Sequence, residues 1–101
     1  MRNILIIGAG RSCSSLIKYL LDKSSSESLH LTIGDISIEN AQQIVNNHKN
    51  ASAIQLDVFN AEQRAKAIRN ADIVISMLPA RFHIEVAKDC VEYGKHMVTD
   101  S

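Results

Sequence analysis

The chain has 101 residues, which is enough for one domain with its own core but small for an enzyme with a separate substrate site. Lysine plus arginine and aspartate plus glutamate each number 11, so no net charge favours nucleic acid or an anionic membrane surface. Two phenylalanines, two tyrosines and no tryptophan are too few for a platform that stacks single-stranded nucleic acid, and no apolar run approaches the roughly 20 residues that span a bilayer.

The first segment predicts a buried strand that runs into a glycine-bearing turn and a helix. Asn3–Gly8 contains a continuous apolar run, which is typical of a parallel strand covered on both faces. Gly8 permits a sharp turn, and Gly10 removes a side chain that would keep a pyrophosphate from the backbone. The helix that follows offers free N–H groups to a phosphate. Cys13 replaces the third glycine of G-x-G-x-x-G, and we interpret it as a packing residue.

The next segments continue the alternation of helix and strand. A first helix ends at a serine triplet, and a second strand at 29–34 delivers Asp35. Asp35 follows Gly10 by 25 residues, near the spacing of the acid that hydrogen-bonds an adenosine ribose, although it could instead help cap the helix beginning near Ser37. A carboxylate there would repel a 2′-phosphate and Ile36 adds no positive charge, so these residues favour NAD over NADP.

The middle of the chain predicts two further helices around a short strand. Ser37 is expected to cap the start of the first helix, and Asn60 and Gln63 at the start of the second are spaced like a capping box, with Asn in place of Ser or Thr. Asn47 to Ser52 reads as a polar loop, and the third strand, 53–56, ends at Asp57. Asp57, with the Val58 backbone, could meet an adenine amino group or serve only as a turn residue. The side chains predicted to face inwards on the two helices are Ala41, Ile44, Val45 and His48, then Ala61, Ala65 and Ile68.

The last third predicts a strand within Asp72–Leu78, a helix and a final strand at His96–Thr99. The turn after the fourth strand would line a bound cofactor with Met77, Leu78 and Pro79. The fourth helix is expected to bury Phe82 or His83, Val86, Ala87, Cys90 and Val91, with Gly94 just past its end. The βαβαβαβαβ pattern predicts an α/β fold: a Rossmann-type, doubly wound parallel sheet of five strands, in the order 3-2-1-4-5, within three αβα layers.

Other chemistry is not indicated by the residues. No group of histidine, cysteine and carboxylate has zinc-site spacing, and no catalytic constellation is present, so we predict neither a metal site nor catalytic residues. Cys90 lies on an apolar helix face that is typical of core. The chain starts without the apolar leader of a secreted protein, so we expect a cytoplasmic location.

Five segments, in this order, resemble the amino-terminal domain of saccharopine dehydrogenases (saccharopine reductases). They are Ile-Leu-Ile-Ile-Gly-Ala-Gly at 4–10, Gln-Leu-Asp-Val at 55–58, Ala-Asp-Ile-Val-Ile-Ser-Met-Leu-Pro at 71–79, Phe-His-Ile-Glu-Val-Ala-Lys at 82–88 and His-Met-Val-Thr-Asp-Ser at 96–101. The glycine turn is generic, whereas the Leu-Asp-Val and Ser-Met-Leu-Pro segments are more specific. The resemblance covers essentially the whole chain.

This resemblance implies a function in lysine metabolism. The family reversibly joins glutamate to aminoadipate semialdehyde through an imine that a nicotinamide cofactor reduces. The residues that would hold the pyrophosphate are Gly8, Gly10, Arg11, Ser12 and Cys13. The adenosine half would meet Asp35, Ile36, Asp57 and Val58, and the remainder of the cofactor would pass Met77, Leu78 and Pro79, with Thr99 near the nicotinamide.

Two departures from the family limit what the resemblance implies. NADP-using members tend to carry a basic residue just after the second strand, where this chain has Asp35-Ile36-Ser37, so we predict NAD, with NADP less favoured. Members are several times longer and have a second domain that binds the amino acid. We therefore expect residues 1–101 to be the dinucleotide-binding domain of a longer two-domain enzyme, inactive alone and without an amino-acid substrate of its own.

One alternative from another class stays open at this point. Regulatory NAD-sensing modules, such as those attached to potassium channels, share the glycine turn and the acid after the second strand. They do not usually carry a Leu-Pro turn followed by Phe-His. In the isolated domain, which lacks the usual sixth strand, the edge at His96–Thr99 is expected to be open, so a second copy could pair there to form a homodimer.

Overall fold

The computed structural model describes residues 2–8 and 14–99, within which strands and helices alternate. The strands are β1 (Arg2–Ile7), β2 (Leu29–Asp35), β3 (Ala51–Gln55), β4 (Ile73–Ser76) and β5 (His96–Thr99). The helices are α1 (Ser14–Lys23), α2 (Ile38–Val45), α3 (Ala61–Arg69) and α4 (His83–Glu92), with a 3-10 turn at Ala80–Phe82 before α4.

The sheet confirms the predicted architecture. Its five strands are parallel and lie in the order β3-β2-β1-β4-β5, with helices on both faces. In the centre, Ile6 of β1 aligns with Ile33 of β2 and with Ile75 of β4. The strand order reverses between β1 and β4, because the chain runs outwards from β1 to β2 and β3 and then continues on the other side of β1. In such sheets a ligand lies beyond the carboxyl ends of the strands at that point.

The pleat of β1 divides its apolar run between two cores. Ile4 and Ile6 pack in the cluster that includes residues of α1 and α2, whereas Leu5 and Ile7 pack with residues of α3 and α4. Successive strand residues point to opposite faces, so one continuous apolar run supplies both layers. Burying each of these side chains contributes about 1.5–3 kcal/mol, which is why the two cores fix the central strand firmly.

Helix ends follow the predicted capping chemistry, with one difference. The Ser37 hydroxyl accepts from the Asn40 N–H at the start of α2, and Asn60 Oδ1 accepts from the Gln63 N–H at the start of α3. The Gln63 side chain does not complete a capping box on Asn60; its Oε1 accepts instead from the Asp57 N–H at 3.0 Å. Gln63 therefore stabilises the loop after β3 as well as the helix.

The end of α4 has the predicted glycine. Gly94 has a φ of +66°, its N–H donates to the Val91 carbonyl, and the Lys95 N–H donates to the Cys90 carbonyl. This pair of hydrogen bonds is a Schellman motif, which requires a left-handed residue just beyond the helix. The turn directs the chain back into β5.

The predicted start of β3 was wrong. The strand begins at Ala51, inside the segment predicted to be a polar loop, and ends at Gln55, so Leu56 follows it. The cause is pairing with β2, which aligns Ala51 with Leu31 and Gln55 with Asp35. Backbone hydrogen bonds to an adjacent strand override the polar character of residues at a sheet edge.

The predicted inner faces of α3 and α4 need correction. Ala61 is exposed, and the side chain that α3 buries beside Ile68 is Arg64. On α4, Val91 is 82% exposed, while Val86 and Cys90 form the buried face. Val91 is five residues beyond Val86, about 140° around the helix, so it points to solvent. No helix within the described part of the chain combines the length and apolar character needed to cross a bilayer.

Candidate functional site

An open cleft of about 320 Å³ lies beyond the carboxyl ends of the strands. It brings together residues from four separate strand ends and the loops that follow them. Of the residues predicted to bind a cofactor, those that line it are Gly8, Asp35, Ile36, Asp57, Val58, Leu78 and Pro79. Met77 packs instead against the core on the α1 and α2 side. Gly10, Arg11, Ser12 and Cys13 lie outside the described residues.

Gly8 occupies a position that disfavours any residue with a side chain. Its φ is +71°, and a Cβ atom placed there would lie 2.5 Å from Cδ2 of Leu78. The Gly8 N–H donates to the Gly34 carbonyl at 3.0 Å, which keeps the end of β1 close to β2. The missing side chain lets the loops after β1 and β4 approach each other at the floor of the cleft.

Asp35 orders a turn and also lines the cleft. Its Oδ1 accepts from the Ser37 N–H at 2.9 Å, so it does order the turn into α2. Among the described residues, no donor binds its Oδ2, and the half-buried side chain lines the cleft. A carboxylate has acceptor capacity left after one such bond, so Asp35 can also accept from the hydroxyl groups of a ligand.

The loop after β3 is ordered by its own hydrogen bonds. Asp57 Oδ1 accepts from the Phe59 N–H at 3.0 Å, and the Asp57 carbonyl accepts from the Asn60 N–H at 2.9 Å. The turn role of Asp57 is therefore realised, while its side chain also lines the cleft beside Val58. As with Asp35, one carboxylate oxygen serves the turn and the other faces no donor among the described residues.

Two aromatic residues at the cleft were missed by the sequence analysis. Phe59, after β3, and Phe82, before α4, meet edge to face with ring centroids 5.2 Å apart. Both line the cleft, and Phe59 is largely exposed. In a chain with only four phenylalanines and tyrosines, an aromatic side chain directly after Asp57-Val58 was the available signal. The pair joins the loops after β3 and β4 across one end of the cleft.

The turn after β4 is held by a histidine. Nε2 of His83, the first residue of α4, donates to the Leu78 carbonyl at 2.6 Å. A carbonyl oxygen can only accept, so Nε2 carries the proton. The Met77 N–H donates to the Ile7 carbonyl at 2.9 Å, which ties the other side of the turn to β1. His83 therefore has a structural role in this turn.

The charges around the cleft are acidic. Asp35 and Asp57 line it, and none of the described lining residues is lysine or arginine. An anionic group would be disfavoured beside Asp35, whereas neutral hydroxyl groups would bind there. The described part of the lining therefore offers acceptors for hydroxyl and amino groups.

Cys90 is a core residue, as predicted. It is buried, and burial, with a smaller contribution from the neighbouring Asp89 carboxylate, raises the pKa of its thiol. The thiol is therefore protonated near neutral pH and is a poor nucleophile. No group of three histidine, cysteine or acidic side chains that could hold a metal ion occurs in residues 2–8 and 14–99.

The fold and cleft define a class of protein. A doubly wound sheet, a glycine of positive φ directly after β1 and a carboxylate at the end of β2 are the features of a dinucleotide-binding Rossmann domain. The chain belongs to the family described as "Saccharopine dehydrogenase NADP binding domain", which matches residues 4–101. The resemblance read from the sequence is thereby confirmed.

Named relatives agree with this assignment. A saccharopine dehydrogenase [NADP(+), L-glutamate-forming] of Schizosaccharomyces pombe is 31% identical over 100% of this chain and 22% of its own length. An alpha-aminoadipic semialdehyde synthase of Arabidopsis thaliana is 30% identical over 97% of this chain and 11% of its own length. The structure of apo saccharopine dehydrogenase (L-Glu forming) from Saccharomyces cerevisiae superposes with a TM-score of 0.88 at 28% identity, over 100% of this chain and 22% of that one.

The chain thus spans only a fraction of each relative that it matches. The shared part is the nicotinamide-dinucleotide-binding domain, and that domain is what this chain has in common with them.

Proposed function

We propose that this chain is the cofactor-binding domain of a saccharopine dehydrogenase-like oxidoreductase of lysine metabolism. In that role it holds a nicotinamide dinucleotide while a second domain of a longer protein binds the amino acid. When bound, the cofactor would supply hydride transfer to or from the carbon of an imine or secondary amine. The observation that carries the proposal is the convergence of Gly8, Asp35, Asp57 and Leu78 on one cleft at the carboxyl ends of the strands.

The residues around the cleft fit the parts of a dinucleotide in order. Asp35 would accept hydrogen bonds from the adenosine ribose, with Ile36 beside the base. Asp57 and Val58 would meet the adenine edge, while Leu78 and Pro79 would line the path towards the nicotinamide, with Met77 supporting that turn from the core. Gly8 would lie at the pyrophosphate, where its lack of a side chain permits close approach. Gly10, Arg11, Ser12 and Cys13 would complete the phosphate turn.

For the cofactor, we propose NAD in preference to the NADP in the family's description. Asp35 stands at the end of β2, is followed by Ile36 and Ser37, and lines a cleft without a described lysine or arginine. The 2′-phosphate of NADP would lie beside the Asp35 carboxylate, and no lysine or arginine among the described lining residues would offset the repulsion. NAD presents two hydroxyl groups at the same place, and a carboxylate accepts from both.

The proposal is tested by titrating the chain with NADH and NADPH and following the fluorescence of the reduced nicotinamide. We expect tighter binding of NADH. Asp35→Asn keeps an oxygen to accept from the Ser37 N–H but removes the charge. The ratio of the affinity for NADH to that for NADPH should therefore fall about tenfold, the equivalent of one charge-assisted hydrogen bond. Asp22→Ala, on the exposed side of α1, is the matched control and should leave both affinities unchanged.

Each outcome of this titration decides a separate point. Equal affinity of the wild-type chain for NADH and NADPH would defeat the NAD preference but leave the dinucleotide site intact. Binding of neither nucleotide would defeat the proposed function itself. If the chain does bind a dinucleotide, the activity of a longer protein with saccharopine tests the substrate assignment.

A further inference from the structure

Arg64 of α3 is a buried cation that lies outside the lining of the cleft. Its side chain is only 9% exposed. Taking a guanidinium out of water costs several kcal/mol, so a buried arginine must be fully paired. The partners of Arg64 show what that burial achieves.

The guanidinium of Arg64 binds two different elements at once. Nε donates to Oδ2 of Asp89, on α4, at 2.6 Å, and Nη1 donates to the Val58 carbonyl at 2.6 Å. The Asp89 side chain is 13% exposed, so this ion pair is shielded from water. Glu85 is different: its carboxylate is 3.8 Å from Nη2 and its side chain is 54% exposed, so solvent screens it.

Through these contacts Arg64 fixes the position of the loop after β3. Val58 is the middle of the segment Asp57–Phe59, which lines the cleft, and its carbonyl has a charge-assisted hydrogen bond to the guanidinium. The planar fork of arginine fixes the direction of both donors, so the loop is held at a set position relative to α4. The contact between Phe59 and Phe82 links the same loop to the segment just before α4.

We propose that Arg64 is a positioning residue for the adenine side of the dinucleotide site, acting through the Val58 carbonyl with Asp89 as its counter-ion. This inference rests on the proposed function, because it assigns to Asp57–Phe59 the adenine contact. The side chain of Arg64 does not line the cleft; it sets where Val58 and Phe59 present their surfaces to the base. Asp89 neutralises the guanidinium and holds its orientation.

Three variants separate positioning from a general contribution to the core. Arg64→Lys keeps the charge beside Asp89 but has no second donor in a fixed fork for the Val58 carbonyl. Asp89→Asn keeps an acceptor for Nε and removes the counter-charge. Glu85→Gln removes the exposed, distant carboxylate and is the matched control.

The binding experiment compares NADH with ADP-ribose, which carries the adenosine half and no nicotinamide. We expect Arg64→Lys to weaken both ligands by the same factor, about tenfold, since the lost hydrogen bond acts on the half they share. Asp89→Asn should weaken the binding of NADH and ADP-ribose by equal factors that are smaller than those of Arg64→Lys. Glu85→Gln should change neither affinity.

Amide hydrogen exchange measures the loop without ligand. In Arg64→Lys and in Asp89→Asn, exchange of the Phe59 and Asn60 amides should accelerate, while the Met77 amide, bound to the Ile7 carbonyl on the other side of the cleft, keeps its rate. A core-filling role alone would accelerate all three together through global unfolding. If Arg64→Lys does not fold, Asp89→Asn supplies both readouts.

The possible failures are distinguishable. Wild-type chain that binds neither NADH nor ADP-ribose overturns the proposed function and this inference with it. Unchanged affinity in Arg64→Lys and Asp89→Asn, with normal binding by the wild type, overturns the inference alone. A loss for NADH without a loss for ADP-ribose also overturns it, because the effect would then lie on the nicotinamide side.

Discussion

Gly8 shows how one residue can fix the shape of a binding cleft. Its backbone is in the left-handed region, and the nearest side chain, Leu78, comes from the loop on the other side of the strand-order reversal. The two loops meet because no Cβ stands between them. Any substitution at this position therefore affects backbone strain and loop packing together.

Replacing Gly8 by alanine is expected to destabilise the fold by about 1–3 kcal/mol and to weaken dinucleotide binding, since Leu78 must move away from the new methyl group. Gly94→Ala is the matched control. Gly94 also has a positive φ, +66°, but nothing lies within 4 Å of the site of its Cβ. Urea denaturation should therefore show a larger loss for Gly8→Ala. Equal losses would mean that the overlap with Leu78 costs nothing.

The two acids at the cleft could be placed from the sequence, but their bonding could not. Asp35 and Asp57 each come at the carboxyl end of a strand predicted from the sequence, which predicts a position at the ligand edge of the sheet. Whether each would order a turn or face a ligand was open, and the structure shows that Oδ1 of each orders a turn. A carboxylate has two oxygens, so the interpretations were compatible from the start.

At the scale of elements, α4 anchors both sides of the cleft. Its first residue, His83, donates to the Leu78 carbonyl, and Asp89, nearly two turns later, pairs with Arg64. The N-cap residue Phe82 has no side-chain hydrogen bond to the helix. Much of what fixes the start of α4 is therefore the bond from His83 to the turn after β4.

Replacing His83 by alanine should lower the free energy of unfolding by about 1–3 kcal/mol, because the part-buried Leu78 carbonyl loses its donor. It should also weaken NADH binding, since the turn that lines the cleft is released. Thermal denaturation and NADH titration measure the two effects, with the exposed His96→Ala as the control. A variant with normal stability and normal NADH affinity would show that His83 does not hold the turn.

Helix ends were easier to predict than helix faces. The caps at Ser37 and Asn60 depend on atoms three residues apart, and both formed as predicted. The inner face of α3 was predicted from apolar residues alone, so Arg64 was not recognised. Its burial depends on Asp89, 25 residues further along the chain, and a pattern of residues within one helix cannot reveal a partner at that separation.

At the scale of the molecule, the radius of gyration of 12.3 Å is close to the ~13 Å of a compact domain of 100 residues, so one body contains both cores. The strands of the sheet differ in how many neighbouring strands they pair with. β1 lies at its centre with neighbours on both sides, whereas β5 pairs only with β4 among the described strands and exposes Val98. An open edge of this kind can accept another strand.

Hydrogen exchange should reflect this difference. At low protein concentration the amides of β5 should exchange much faster than those of β1, because an edge strand opens without disrupting either core. Repeating the measurement over a range of concentrations tests the homodimer expected from the open edge. Protection of β5 that equals that of β1 at all concentrations would contradict the predicted weakness of this edge.

The sequence by itself determined the alternation of strands and helices, the sheet order, the helix caps and the strand ends that carry the site. Each of these depends on periodicity or on contacts within a few residues, and the rules of parallel sheets convert them into a topology. Tertiary structure alone decided where β3 starts, why Arg64 is buried and how Phe59 meets Phe82. Those features join residues distant in sequence, and their energies exist only once the sheet has brought the partners together.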